Sequence, residues 1–166
     1  MTLAELNAAP AAHAHALFLT CCGSHAWARA MTGRRPFPDR ARLDREADTI
    51  WRGLTPEDWL EAFAAHSRIG DAQKSDGSGG SGGWAAREQA GMDVASDTIR
   101  RRIDQGNRDY EARFGFIYLV CATGKRAEEL LAILEERLMH ARDEELRIAA
   151  EEQRKITHLR LEKLLT

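Results

Sequence analysis

Apolar residues recur at helical spacing along most of the chain. Between Ala127 and His140, Leu130, Leu131, Leu134 and Leu138 fall on one stripe. From Asp143 onward, Leu146, Ile148, Ala149, Ile156, Leu159, Leu161, Leu164 and Leu165 alternate with Glu, Arg and Lys. That pattern predicts a final amphipathic helix capped by Asp143, its charged face solvated and laced by i,i+4 pairs. The earlier helices are marked by their starts. Thr2-x-x-Glu5 is a capping box. Ser24 caps a helix over Trp27, Ala28 and Met31 that stops at Gly33, ahead of the Pro36-Phe37-Pro38 turn. A further helix runs from about Asp39 to Trp51. Thr55-Pro56-Glu57-Asp58 supplies a cap, a first-turn proline and two acids that suit the helix dipole. The helix it starts carries Trp59, Leu60 and Phe63 and ends near His66. Another covers roughly Asp97 to Arg113.

Two stretches break the periodicity. Phe116-Ile117-Tyr118-Leu119-Val120-Cys121 is a continuous apolar run that fits a buried strand or a buried helix. With no second strand candidate of similar quality to pair with it, a strand would leave its backbone groups unsatisfied. A buried helical or irregular segment is therefore expected. The other is 74–83, with five glycines and three serines, which interrupts the chain as a flexible Gly/Ser loop.

Composition agrees with the helical pattern. The 166 residues contain 27 Ala and 17 Leu against 2 Val and 8 Ile, and β-branched residues are what a sheet usually needs. The expectation is an all-α protein, one domain over 1–166, built as a bundle of about eight to ten helices. The formal charge of −2 gives no reason to expect a nucleic acid as partner. No apolar run is long enough to span a membrane, and Met1-Thr2-Leu3-Ala4-Glu5 has no basic, apolar leader pattern. Three cysteines, two of them adjacent, are simplest as reduced thiols, which points to the cytoplasm.

Several candidate motifs fail on context. Gly77-x-Gly79-x-x-Gly82 has the dinucleotide spacing but no preceding strand. Gly124-Lys125 lacks the upstream glycine of a phosphate loop. His13 and His15 are i,i+2, on different faces of a helix, and no metal site is expected there. Cys21-Cys22-Gly23-Ser24 fits buried core thiols better than a nucleophile, since no base stands near in sequence. His66 is more suggestive. It ends a helix in His66-Ser67-Arg68-Ile69-Gly70, just before the Gly-rich segment, and Glu88-Gln89-Ala90-Gly91 follows on the other side. A histidine and a glutamate flanking such a segment suit an acid–base site under a lid. A histidine that merely neutralises a helix terminus gives the same pattern.

Taken together, the motifs resemble a known family. Cys21-Cys22-Gly23-Ser24, Trp27-Ala28, Met31, Arg35-Pro36-Phe37, His66-x-Arg68-Ile69-Gly70 and Glu88-Gln89-Ala90-Gly91 recur there in this order. Asn107-x-x-Tyr110, Phe114-Gly115-Phe116, Lys155-Ile156 and Leu159-Arg160-Leu161 complete the set. The chain resembles 2-oxo-4-hydroxy-4-carboxy-5-ureidoimidazoline (OHCU) decarboxylase from about Ala16 to Leu165. The resemblance implies an all-α homodimer that needs no metal or organic cofactor and decarboxylates OHCU to (S)-allantoin in urate degradation. It implies His66, Glu88 and Arg160 as catalytic residues. Substrate contacts fall on Ser67, on Ala85, Ala86, Arg87, Glu88 and Gln89, and on Tyr118, Leu119, Val120, Cys121 and Ala122. The apolar run then becomes a pocket wall whose main-chain groups face ligand.

The chain departs from the family pattern twice. Ser67 stands where proline is usual, and Ala85 where a serine is common. The first change keeps the carbonyl and loses a fixed φ, while the second removes a hydroxyl donor. The implied chemistry suits a protein without a cofactor, because the substrate's own ring takes the electron pair left by CO2. Protein groups then supply orientation, oxyanion stabilisation and a proton to one face. An arginine gripping the carboxylate tightly would oppose its loss, so Arg160 is expected to favour developing charge.

Overall fold

The computed structural model describes residues 1–71 and 81–166, without the side chains of 81–83 and 86. Among the described residues the regular elements are all helical: α1 (Leu3–Ala8), α2 (Ala11–Cys21), α3 (His25–Gly33), α4 (Arg40–Arg52), α5 (Pro56–Ala64), α6 (Ser81–Glu88), α7 (Asp97–Phe114), α8 (Ala127–Arg137) and α9 (Arg142–Leu164). A short 3-10 turn, Ala90–Met92, follows α6. The all-α expectation holds. None of these helices is long and apolar enough to cross a membrane.

The start signals act as the sequence suggests. Thr2 and Glu5 bond reciprocally as a capping box, Ser24 Oγ accepts the Trp27 N–H, and Asp39 caps α4 through the Arg42 N–H. Thr55 and Asp58 form a second reciprocal pair at the start of α5. Two boundaries differ. Asp143 lies inside the first turn of α9, because that helix begins one residue earlier at Arg142, and its acids serve the dipole. Residues 81–83, expected within the Gly/Ser loop, are helical in α6. The rest of that segment, 74–80, lies outside the described residues, as does most of the Gly77–Gly82 spacing.

The chain packs as two compact units. The first comprises Met1–Ala62 with Arg154–Thr166. Its α2 packs on α3 and α3 on α4, around fully buried Leu6, Phe18, Trp27, Met31 and Leu43. Trp27 donates its indole N–H to the Ala47 carbonyl at 3.1 Å, and Phe18 meets its ring edge-on at 5.8 Å. Arg35 donates to the Leu6 and Ala9 carbonyls at 2.7 Å each, satisfying acceptors that the end of α1 leaves over.

The second unit is Phe63–Gln153. Here α7 packs on α8, and Gly106 sets how closely. A β-carbon at Gly106 would stand 2.6 Å from Leu134 Cδ2. Phe63, Tyr110, Phe114, Phe116 and Tyr118 form one aromatic cluster. Within it lies a buried ion pair. Arg137 donates to Glu145 at 2.5 Å, stacks 5.1 Å over the Tyr118 ring and donates to the Leu119 carbonyl at 2.7 Å. Tyr110 also donates to Glu145. Apart from half-buried Ile117, residues 116–122 are therefore buried yet irregular, as one of the two expected outcomes, and side chains take the place of a strand partner.

The solvated charged face expected of α9 is only partly present. Glu145 and Gln153 are fully buried, and Thr157 and Arg160 nearly so. These polar groups share the helix's inner stripe with Leu146, Ala149, Ala150, Ile156 and Leu161. Each is buried against partners supplied by tertiary packing, which sequence periodicity does not display.

Candidate active site

Just after α5 the chain turns out of the helix, with the His66 N–H bonded to the Phe63 carbonyl at 3.1 Å. The loop that follows is held at four points. The half-buried His66 ring places Nε2 2.8 Å from Oε1 of the fully buried Gln153. Arg68 grips Glu111 through both prongs, at 2.5 and 2.6 Å. The Ile69 carbonyl accepts from Asn107 Nδ2 at 3.0 Å. The Gly70 N–H donates to Gln89 Oε1 at 2.8 Å, and Gly70 itself is at φ +93°, which favours glycine. His66 thus projects from a short, tied loop rather than a free one. A cleft of about 220 Å³ opens beside Ile69–Asp71, against Met92 and the Arg100, Ile103 and Asp104 side of α7.

Glu88 closes α6 and Gln89 follows it, both buried. Gln89 points to the histidine loop, where it accepts the Gly70 N–H. Glu88 is near Cys121, for its charge helps hold that thiol above the ordinary range, after burial and the charge of Glu152. Ala85 is buried and its carbonyl accepts the Gln89 N–H at 3.1 Å. Ser67 and Arg87 are exposed, and the Ala86 side chain lies outside the described residues.

The segment Tyr118 to Ala122 is buried throughout. Several of its polar groups are engaged by protein side chains. Tyr118 donates its hydroxyl to the Leu130 carbonyl at 2.9 Å, and Arg137 occupies the Leu119 carbonyl. The Cys121 N–H donates to Glu152 Oε2 at 2.8 Å, and its carbonyl accepts from Lys125 Nζ at 2.9 Å. The segment is a wall braced from behind by α8 and α9.

His66, Glu88, Gln89 and residues 118–122 all belong to the second unit, whereas Arg160 belongs to the first. Arg160 is 4% exposed, with Nη1 3.4 Å from the Thr20 carbonyl. Arg160 is thus buried, not on the solvated charged face expected of α9. Its charge slightly favours the thiolates of Cys21 and Cys22, but burial dominates and pushes both thiols up to about 12. Such cysteines are inert core groups at neutral pH, as the sequence favoured.

Three residues at the site escaped sequence reasoning: Gln153, Glu152 and Lys125. For Gln153 a signal existed. It stands at i+7 from Leu146 and i−7 from Arg160, on the stripe that the apolar residues of α9 mark. A polar residue on an apolar stripe needs a buried partner. Glu152 and Lys125 show no such signal, since both sit at ordinary surface spacing. Among the described residues, no three His, Cys, Asp or Glu side chains gather as a metal site.

The chain is similar to known proteins over most of its length. A family model described as OHCU decarboxylase matches residues 7–162. The uric acid degradation bifunctional protein TTL of Arabidopsis thaliana is 33% identical over 147 residues, 88% of this chain and 45% of that protein. The 2-oxo-4-hydroxy-4-carboxy-5-ureidoimidazoline decarboxylase of Amia calva is 36% identical over 77 residues, 46% of this chain and 44% of that one. The match thus spans under half the length of these curated relatives. A crystal structure of OHCU decarboxylase in the presence of (S)-allantoin superimposes with a TM-score of 0.77 at 34% identity, covering 89% of this chain and 96% of the other. A structure of (S)-allantoin synthase, 18% identical, shares the fold with a TM-score of 0.76 over 100% of this chain and 54% of that one.

Proposed function

The chain belongs to the OHCU decarboxylase family, and on that premise we propose that it decarboxylates 2-oxo-4-hydroxy-4-carboxy-5-ureidoimidazoline to (S)-allantoin without a cofactor. The observation that carries the reading is the half-buried imidazole of His66, set against buried Gln153 at 2.8 Å in the unit that also buries Glu88. An imidazole is the side chain best matched to proton transfer near neutral pH.

In the proposed reaction the bond from the ring to the carboxylate breaks and CO2 departs. The electron pair passes into the conjugated ring, so the substrate is its own sink and no external carrier is required. The anion left by CO2 takes up a solvent proton to become the enol. His66 then delivers a proton to one face of the enol's ring carbon, while the enol hydroxyl gives up its own proton and becomes the carbonyl. That makes the product chiral and leaves the imidazole to be reprotonated from water. Glu88 orients that exchange and accepts a hydrogen bond from the substrate's hydroxyl or ring N–H. Arg160 is the anion-binding group, acting on an oxygen where charge develops rather than on the leaving carboxylate. Main-chain groups of Ser67, of 85–89 and of 118–122 complete the substrate contacts, with the ones already braced by Arg137, Glu152 and Lys125 forming the rigid part of the wall. The same family resemblance supports a cytoplasmic homodimer.

A direct assay tests the proposal. Urate freshly oxidised in the presence of a hydroxyisourate hydrolase supplies the substrate, and the protein is added last. Rapid appearance of optically active allantoin is the expected result. Racemic allantoin forming at the uncatalysed rate would refute it.

A further inference from the structure

We propose that Gln153 is the positioning residue for the His66 ring, holding one proton on Nε2 and fixing the ring's rotation so that Nδ1 is the nitrogen that passes a proton to the substrate. The inference rests on the reading of His66 as proton donor. An amide oxygen can only accept, so the ring nitrogen 2.8 Å from Gln153 Oε1 carries the hydrogen. The backbone of the histidine loop is already secured by Asn107 on Ile69, Gln89 on Gly70 and Glu111 on Arg68. What Gln153 adds is therefore the ring's orientation and tautomer rather than the loop's place. Its setting says the same. Gln153 is fully buried on a stripe it shares with apolar Leu146, Ala149, Ala150 and Ile156 and with buried Glu145 and Thr157, and an apolar residue would be the cheaper choice there if packing alone were needed. Its neighbour Glu152 fixes the Cys121 N–H, so one turn of α9 braces both the histidine and the wall segment.

The experiment compares the full-length protein with Gln153→Leu and Gln153→Glu. Long-range 1H–15N NMR reads the His66 tautomer in resting protein, and steady-state kinetics read kcat and KM. The charged groups of this unit around the loop and wall include Glu88 on α6, Glu152 on α9, Lys125, the Arg68–Glu111 pair, Asp71, Arg100 and Asp104 at the cleft, and Arg137 behind the wall, and all are retained in both variants. Wild type should show the Nε2–H form. Gln153→Leu should give mixed tautomers and a kcat lower by roughly tenfold to a hundredfold, with KM within about twofold. Gln153→Glu keeps an acceptor, so it should restore the Nε2–H form and much of kcat. Its carboxylate should also move the His66-dependent limb of the pH profile to higher pH. An unchanged tautomer in Gln153→Leu, or a kcat equal to wild type, overturns the proposal. If the tautomer responds as expected but wild type yields no (S)-allantoin, the positioning stands and the reaction assigned to the site is wrong.

Discussion

The carbonyl oxygen of Lys125 lies 2.0 Å from the point a β-carbon on Gly91 would occupy. The 3-10 turn after Glu88 and Gln89 is therefore pressed directly against the chain leaving the wall segment. Only glycine permits that approach. Because the obstacle is backbone, Gly91→Ala has no side chain to rotate away. It should cost about 2–3 kcal/mol, the upper part of the overpacking range, and lower kcat/KM by shifting Glu88. Urea unfolding gives the first number. A midpoint equal to wild type would mean that the turn and Lys125 do not meet in this way.

Arg137 is buried with Glu145 and also holds the Leu119 carbonyl. Removing one member of a buried pair strands the other charge, at about 3–5 kcal/mol. Arg137→Met should therefore lose that much on thermal unfolding, and Arg137→Met with Glu145→Leu should recover part of it. A single variant as stable as wild type would show that the pair carries no structural weight.

Helix starts and apolar stripes were legible because they depend on residues three or four apart. Thr2 with Glu5, Ser24 with Trp27 and Thr55 with Asp58 all bond as their spacing predicts. The long-range polar pairs were not legible. Nothing near Arg137 in sequence announces that it will bind the Leu119 carbonyl, and the 87 positions between His66 and Gln153 hide their contact. The irregular state of Phe116–Cys121 could be narrowed by the lack of a partner strand, but the side chains that replace that partner come from α8 and α9. His66 and Glu88 stood out locally as a histidine and an acid on either side of the Gly-rich segment, but their roles, and Arg160 altogether, came from joint motif order.

Asp48 accepts from His158 at 2.7 Å and from Arg154 at 3.2 Å, with Arg52 at 3.7 Å. Burial tends to raise its carboxyl, but those hydrogen bonds outweigh it and hold the group below its ordinary 3.8. A folded-state value below the unfolded one stabilises the protein above pH 3.8, and the benefit disappears as pH falls through the folded value. Asp48→Asn should therefore lose under about 1 kcal/mol at pH 7, since the cluster is partly exposed. The gap to wild type should close in acid and shrink in high salt. A gap that is constant from pH 7 to pH 3 would remove Asp48 as its source.

Arg160→Lys keeps the charge and loses the planar fork. If the guanidinium holds an anionic substrate, kcat/KM should fall more than tenfold, about 1.4 kcal/mol or more. The unfolding midpoint, measured alongside, separates a lost grip on substrate from lost packing near the Thr20 carbonyl, 3.4 Å from Nη1. Wild-type kinetics in this variant would assign the buried arginine to packing alone.

His66 and Glu88 carry the strongest expectation. His66→Asn preserves a polar side chain of similar reach, and the loop's ties through Asn107, Gln89 and Glu111 do not involve the ring. The fold should therefore survive by circular dichroism while the rate falls at least roughly a hundredfold, the scale of an acid–base group. Glu88→Gln keeps the shape and removes the charge. It should lower the rate and flatten the acid limb of the pH profile, because the group whose protonation shaped that limb is gone. The handedness of the product provides a check that rate alone does not. With His66 absent, the enol is released and protonated from either side, so residual allantoin should be racemic. Should His66→Asn still yield (S)-allantoin at the wild-type rate, the proton must come from another group, and His66 is not the donor.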